Sequence, residues 1–145
     1  MISRSHGGLL ACLDRRAVQQ LLGASLPPSA VDVRYLRWQP SGDLAYQEAL
    51  VRFDASAVDY QSFVARRGLT PFSESGPNVH LPIDWTPPVE IDRPDWWVPN
   101  SDTPADAASG KVGSHGSIAV KWESGRVYAV IVDTGERQPA SGGGP

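Results

Sequence analysis

Two adjacent tryptophans, Trp96 and Trp97, stand between prolines in the stretch "RPDWWVPN". A tryptophan ring at a surface can stack on a saccharide or a peptide, so this pair and the nearby Trp85 are the candidate binding residues. Val98 precedes a proline, which restricts it to extended backbone and predicts an extended stretch whose neighbouring side chains diverge. We therefore predict that one ring of the pair covers the protein's own core and that the other stays accessible.

A histidine with serines on both sides is the candidate catalytic group. His115 lies in "GSHGS", where it could act as a general base with Ser114 or Ser117 as the nucleophile. Adjacent residues seldom direct their side chains at one another, and the Gly-x-Ser-x-Gly pattern of a nucleophile elbow is missing. A surface loop leading into a strand is the simpler interpretation, so we assign no catalytic residue.

Potential metal ligands occur in two short patterns. The first contains Asn78, His80 and Asp84, and the second contains Asp102 and Asp106. Neither pattern has the ligand spacing of a zinc site or of an EF-hand loop. We therefore predict no metal and no cofactor.

The single cysteine, Cys12, ends the sequence "LLAC". This sequence has the form of a bacterial lipoprotein cleavage box, in which lipid is attached to the cysteine. A signal peptide needs an apolar stretch of about 7–15 residues, and residues 1–8 supply none. We therefore predict a cytoplasmic protein with a small buried thiol at the start of a helix. The alternative is lipidation of Cys12 and a location in the cell envelope.

The composition is that of an ordinary globular protein. The 145 residues are 41% hydrophobic and 20% charged, which is enough apolar material for one core in one domain. The net charge is −3 and the eleven arginines are scattered, so we expect no nucleic-acid partner. No stretch approaches the ~18 apolar residues of a membrane span. A protein partner or a small ligand fits this composition, which does not indicate an oligomeric state.

Hydrophobic periodicity predicts two helices. The first, in "LLACLDRRAVQQLLG", is capped by a glycine and carries four apolar residues on one face. These residues are Leu10, Leu13, Ala17 and Leu21. The second helix, in "DASAVDYQSFVARRG", has Ser56 as its N-cap and Gly68 as its stop signal.

Alternating apolar residues predict two hairpins. The first pairs "AVDVRYLRW" with "LAYQEALVRF", and the second pairs strands on either side of a tight turn at Ser124 and Gly125. The order helix, hairpin, helix, irregular segment, hairpin indicates an α+β fold. We predict a single two-layer domain over residues 1–135, with about four antiparallel strands and both helices on one face.

An irregular segment rich in proline and tryptophan separates the second helix from the second hairpin. Residues 71–110 contain eight of the thirteen prolines and three of the five tryptophans. Disordered segments are poor in aromatic residues, so we predict that this segment is ordered and covers the face of the sheet opposite the helices. Residues 136–145 are predicted to form a flexible tail.

Several short motifs spread over most of residues 20–135 point to one group of proteins. They are "LPPSAVDVRY", "LVRF", "FVARRGLTP", "PDWWVP" and "GRVYAVIVDTG". In these motifs the chain resembles a group of small uncharacterised bacterial proteins, some of which are predicted lipoproteins. The resemblance implies a soluble or envelope-associated bacterial domain, and it transfers no functional residues.

The sequence as a whole favours a non-enzymatic binding or accessory domain that contacts its partner through the Pro/Trp-rich segment. Two alternatives stay open, a small hydrolase that uses His115 and a structural subunit of a larger assembly. An accessible aromatic ring is expected for the binding domain. A histidine within hydrogen-bond reach of a hydroxyl or a carboxylate is expected for the hydrolase.

Overall fold

The computed structural model describes residues 2–5, 11–39, 47–72, 93–100, 106–113 and 115–133. Within these ranges the chain forms two helices and seven strands. In chain order they are β1 (Ile2–Arg4), α1 (Ala11–Leu22), β2 (Val31–Trp38), β3 (Gln47–Asp54), α2 (Ala57–Arg67), β4 (Thr70–Pro71), β5 (Ala108–Val112), β6 (Gly116–Glu123) and β7 (Arg126–Asp133).

All of these strands belong to one antiparallel sheet with the order β1-β2-β3-β7-β6-β5-β4. The strands β3 and β7 pair over their full lengths at the centre of the sheet. Both predicted hairpins are present. The second closes through Ser124 and Gly125, whose φ angles of 49° and 86° suit a tight hairpin turn.

The prediction of about four strands is wrong, because the structure contains a seven-stranded sheet. The three additional strands, β1, β4 and β5, are only 3, 2 and 5 residues long. Strands this short show no readable alternation, and they form because a neighbouring strand offers its backbone for pairing. The segment 71–110, predicted to be irregular, therefore contributes strand residues at both of its ends. The α+β class holds.

Helix α2 begins and ends where local sequence signals predict. The Ser56 hydroxyl accepts a hydrogen bond from the Asp59 amide at 3.1 Å, and Gly68 ends the helix with a φ of 74°. The ring of Phe63 is buried and meets Phe53 of the sheet edge to face, with 6.4 Å between centroids. These contacts fix α2 on the centre of the sheet.

Helix α1 buries a different face from the predicted one. Val18 and Leu22 are fully buried and Asp14 is 1% exposed, whereas Leu13 is 47% exposed. The buried stripe therefore runs at intervals of four residues, and the helix is rotated by about 100°, or one residue, from the prediction. Apolar residues lie on two neighbouring faces of this helix, so contact with the sheet and not periodicity alone selects the buried one.

The sheet separates two apolar clusters. Both helices pack on one side, which we name the inner face, against strand residues such as Val51 and Ala129. The opposite side, the outer face, carries Leu36, Trp38, Leu50, Ala119 and Tyr128 together with Trp97. Among the described residues, Trp97 is the one fully buried member of the outer cluster that is not in a strand. The prediction that the Pro/Trp-rich segment covers this face is confirmed for residues 93–100, and residues 73–92 and 101–105 lie outside the described ranges.

Candidate functional site

The tryptophan pair lies in a β-turn and not in an extended stretch. The Trp97 amide donates a hydrogen bond to the Pro94 carbonyl oxygen at 3.0 Å, which places Asp95 and Trp96 at the centre of the turn. The prediction of an extended chain is wrong because the following proline restricts only Val98, whereas aspartate is common in turns. The two rings also stay in contact, with centroids 6.1 Å apart and planes at 85°.

Trp97 is the ring that turns inward, which confirms the prediction made for one of the pair. Its side chain is fully buried and meets Tyr128 edge to face, with 5.3 Å between centroids. Burial of a ring of this size removes about 150–250 Å² from water and stabilises the fold by about 4–6 kcal/mol. Trp96 packs against the same cluster but is only partly buried. Trp97 therefore supports the ring that remains accessible.

The buried Arg52 of β3 attaches the turn to the sheet. Its side chain is 93% shielded from solvent, and its Nη1 donates a hydrogen bond to the Trp96 carbonyl oxygen at 3.0 Å. The Nη2 atom of the same guanidinium pairs with the Asp32 carboxylate. The planar fork of arginine allows both contacts at once. Arg52 therefore links the turn to strand β2.

Asp32 is held in an unusual position by its two arginine neighbours. It lies at an irregularity in the β2–β3 pairing and has a φ of 52°, a conformation that aspartate tolerates. Its Oδ1 is 3.0 Å from Nε of Arg34. Partial burial acts to raise the pKa of Asp32, but hydrogen bonds and positive charges from Arg34 and Arg52 outweigh burial and lower this pKa. The carboxylate is therefore ionised at neutral pH.

A second set of contacts holds the C-terminal end of residues 93–100. The fully buried Lys121 donates from Nζ to the Asn100 carbonyl oxygen and lies 2.6 Å from Oε2 of Glu123. The backbone N–H of Asn100 donates a hydrogen bond to the Glu123 carboxylate, with 3.2 Å to each carboxylate oxygen. Residues 93–100 are thus attached to the sheet at two points, at Trp96 by Arg52 and at Asn100 by this Lys121 network.

A cleft of about 330 Å³ opens beside Trp96 on the outer face. We name it the Trp96 cleft, and its lining includes Arg4, Ser5, Arg34, Arg93, Asp95 and Trp96. Arg4 of β1 pairs with Leu36 of β2. Arg34 lies two residues before Leu36 and therefore on the same outer face, so the pairing brings Arg4 close to Arg34. The Ser5 amide continues this pairing with a hydrogen bond of 3.0 Å to the Tyr35 carbonyl oxygen.

The charge of the Trp96 cleft differs from that of the whole protein. Three guanidinium groups line it with one carboxylate, Asp95, although the net charge of the chain is −3. Arg34 also pairs with Asp32, while Arg4 and Arg93 form no ion pair with any residue of the described ranges. The cleft is therefore suited to an anionic group placed next to an aromatic ring.

The sequence pattern indicates Trp96 as a binding residue but gives no clear sign of the arginines around it. Arg4, Arg34 and Arg93 lie far apart in the chain, and only strand pairing and the turn bring them together. A partial signal existed in Arg34, which alternates with apolar residues along β2 and so occupies one defined face of the sheet. The sequence carries a clearer sign that Lys121 has a structural role, because Lys121 is one of only two lysines and lies between apolar residues in a predicted strand.

None of the other candidates that the structure describes lines the Trp96 cleft. Trp85 and Ser114 lie outside the described residues. His115 is exposed in the turn between β5 and β6, and Ser117 is partly buried in β6. Cys12 is exposed on α1, so the predicted buried thiol is wrong.

The structure describes only one residue of the two candidate metal-ligand patterns. Asn78, His80, Asp84 and Asp102 lie outside the described ranges, and Asp106 is exposed. Among the residues that are described, no three His, Cys, Asp or Glu side chains gather where they could hold a metal ion. Neither helix in this part of the chain has the length and the apolar character needed to cross a membrane.

Comparison of the chain with protein-family models, with curated proteins and with solved structures finds no match in any of the three. The residues of the Trp96 cleft are therefore the observations from which a function can be inferred.

Proposed function

We propose that this chain is a non-enzymatic binding domain that contacts an acidic segment of a protein partner through the Trp96 cleft. The observation that carries the proposal is the grouping of Arg4, Arg34 and Arg93 around a partly accessible tryptophan ring in a protein of net charge −3. The contact surface includes part of the Pro/Trp-rich segment, as the sequence predicts.

The residue types in the cleft are those that contribute most to protein interfaces. Tryptophan and arginine are enriched among the residues whose loss weakens binding by more than about 2 kcal/mol. A guanidinium group binds a carboxylate through two parallel hydrogen bonds, which gives orientation as well as attraction. Glutamate or aspartate side chains of a partner are therefore the groups that the three arginines suit.

The rigidity of the turn favours binding. Trp96 is supported by the ring of Trp97, and its carbonyl oxygen is held by Arg52 at 3.0 Å. A surface that is already ordered loses less conformational entropy when a partner binds. The attachment of residues 93–100 at Trp96 and at Asn100 therefore prepares the cleft without the partner present.

The test is a fluorescence-polarisation titration of the full chain with a labelled peptide of alternating glutamate and glycine. We expect Arg93→Ala to weaken binding about tenfold, the loss expected from one carboxylate contact. Arg66→Ala is the matched control, because it removes the same charge from an exposed position of α2 on the other side of the sheet. A peptide of alternating lysine and glycine is expected not to bind.

Two outcomes would contradict the proposal. Equal weakening by Arg93→Ala and Arg66→Ala would indicate attraction by overall charge and no specific site. Equal binding of the glutamate and lysine peptides would show that the arginines do not select the ligand.

A further inference from the structure

A second cavity lies on the inner face, between α1 and the sheet. Its volume of about 340 Å³ is at the small end of the range for pockets that hold small molecules, about 300–1,000 Å³. Ala17 and Leu21 of α1 form one apolar wall, and Ala49 and Ile131 of the sheet form another. The sheet lies between this cavity and the Trp96 cleft, and Tyr35 is a lining residue of both.

A largely buried tyrosine lines this cavity. Tyr35 is only 8% exposed, and its hydroxyl makes no hydrogen bond to any residue that the structure describes. Burial raises the pKa of Tyr35, the Asp14 carboxylate raises it further, and Arg37 opposes the shift. The hydroxyl group is therefore protonated at neutral pH and can donate a hydrogen bond to a ligand.

A guanidinium group lies beside this hydroxyl. Arg37 is the next inner-face residue along β2 after Tyr35, and it also lines the cavity. It forms no ion pair or hydrogen bond with another residue of the described ranges. Glu48 and Asp133 line the cavity as well, and each takes part in interactions of its own. The carboxylates of Glu48, Asp133 and the nearby Asp14 lower the affinity of the cavity for any anion, so Arg37 can offset the charge of one carboxylate and no more.

We infer that this cavity binds a small molecule that has one carboxylate and a short apolar body. The Arg37 guanidinium and the Tyr35 hydroxyl hold the carboxylate, and the walls formed by α1 and the sheet enclose the apolar part. A charge-assisted hydrogen bond from each donor gives the ligand a single orientation. This site is additional to the proposed partner surface at the Trp96 cleft and does not depend on it.

The test is an NMR titration of the full ¹⁵N-labelled chain with hexanoate, with hexan-1-ol and hexylamine as probes of equal length. We expect hexanoate to shift the backbone amide signals of Ala17, Leu21, Ala49 and Ile131, and the two other probes to leave them unchanged. Arg37→Gln and Tyr35→Phe are each expected to weaken hexanoate binding about tenfold. Arg16→Gln, which changes an exposed residue of α1, is expected to have no effect.

Tyr35→Phe keeps the buried ring, so it decides the test if Arg37→Gln fails to fold. Hexan-1-ol binding as tightly as hexanoate would overturn the inference, since the carboxylate would then contribute nothing. Hexanoate affinity in Tyr35→Phe equal to that in Arg16→Gln would overturn it as well. Shifts confined to residues of the Trp96 cleft would place the carboxylate elsewhere and leave the inner cavity without a ligand.

Discussion

Arg52 donates a hydrogen bond to the carbonyl oxygen of Trp96 at 3.0 Å, which joins the centre of the sheet to the turn that carries the tryptophan pair. The same guanidinium pairs with Asp32, and Asp32 also binds Arg34, a residue of the Trp96 cleft. The shape of the cleft therefore depends on a buried residue that does not line it.

Replacement of this buried guanidinium should destabilise the fold. The variant Arg52→Lys keeps the charge, but a single ammonium group cannot serve both the Trp96 carbonyl and Asp32, so we expect a loss of about 2–4 kcal/mol in the free energy of unfolding. Urea unfolding measures this loss. The control is Arg126→Lys, whose side chain is 42% exposed and 3.4 Å from Asp54, and which should leave the free energy of unfolding nearly unchanged. Equal effects of the two substitutions would contradict the anchoring role.

The two tryptophans should differ in their effect on stability. Trp97→Ala removes a fully buried ring and should cost about 3–5 kcal/mol, whereas Trp96→Ala removes a partly exposed one and should cost less than about 2 kcal/mol. Chemical denaturation of both variants tests this difference. Losses of equal size would show that Trp97 does not support the turn from within the outer cluster.

The ion pairs of Asp32 should make stability depend on pH in the acid range. Its pKa in the folded protein lies below the ordinary value of 3.8, so the ionised carboxylate stabilises the fold. This contribution is complete above the unfolded pKa of about 3.9 and is lost as the pH falls through the lower folded pKa.

The variant Asp32→Asn isolates this charge, because asparagine also tolerates the φ of 52° at this position. We expect the difference in free energy of unfolding between the natural chain and this variant to be constant from about pH 7 to pH 5 and to shrink below about pH 4. Urea unfolding at several pH values measures it. A difference that grows on acidification would have the opposite sign and would contradict the lowered pKa.

Local signals in the sequence predicted the local features of the fold. Ser56 and Gly68 set the ends of α2 through contacts within a few residues, and Ser124 with Gly125 closes the second hairpin. The rotation of α1 was not predictable in this way, because burial of Asp14 and exposure of Leu13 depend on the sheet beneath the helix.

The sequence predicted only part of the candidate site, because most of its residues are brought together by contacts between distant parts of the chain. Trp96 stands out by its residue type and by its position among prolines. Arg4 and Arg93 have no such signal, because their place in the cleft follows from the pairing of a three-residue edge strand and from a turn. Contacts between distant parts of a chain leave no periodic pattern in either part.

The buried Lys121 should also be important for the attachment of the tryptophan turn. In Lys121→Met the Glu123 carboxylate, which is 16% exposed, loses its ion-pair partner, so we expect a loss of about 3–5 kcal/mol. The double substitution Lys121→Met with Glu123→Gln removes both charges and should recover part of this loss. Denaturation of the single and double variants tests the coupling. Additive effects of the two substitutions would show that the pair does not act as a unit.

An acidic ligand in the Trp96 cleft must change the surroundings of the Trp96 ring, and NMR of the tryptophan indole N–H groups detects that change. Trp122 is the internal control, because its indole N–H donates to the Ala55 carbonyl oxygen at 2.9 Å and its ring packs against the inner-face cluster. On titration with the peptide of alternating glutamate and glycine, we predict that the Trp96 indole signal shifts and that the Trp122 signal stays in place. An unchanged Trp96 signal at saturating peptide, or equal shifts of both signals, would show that the acidic peptide does not bind in the Trp96 cleft.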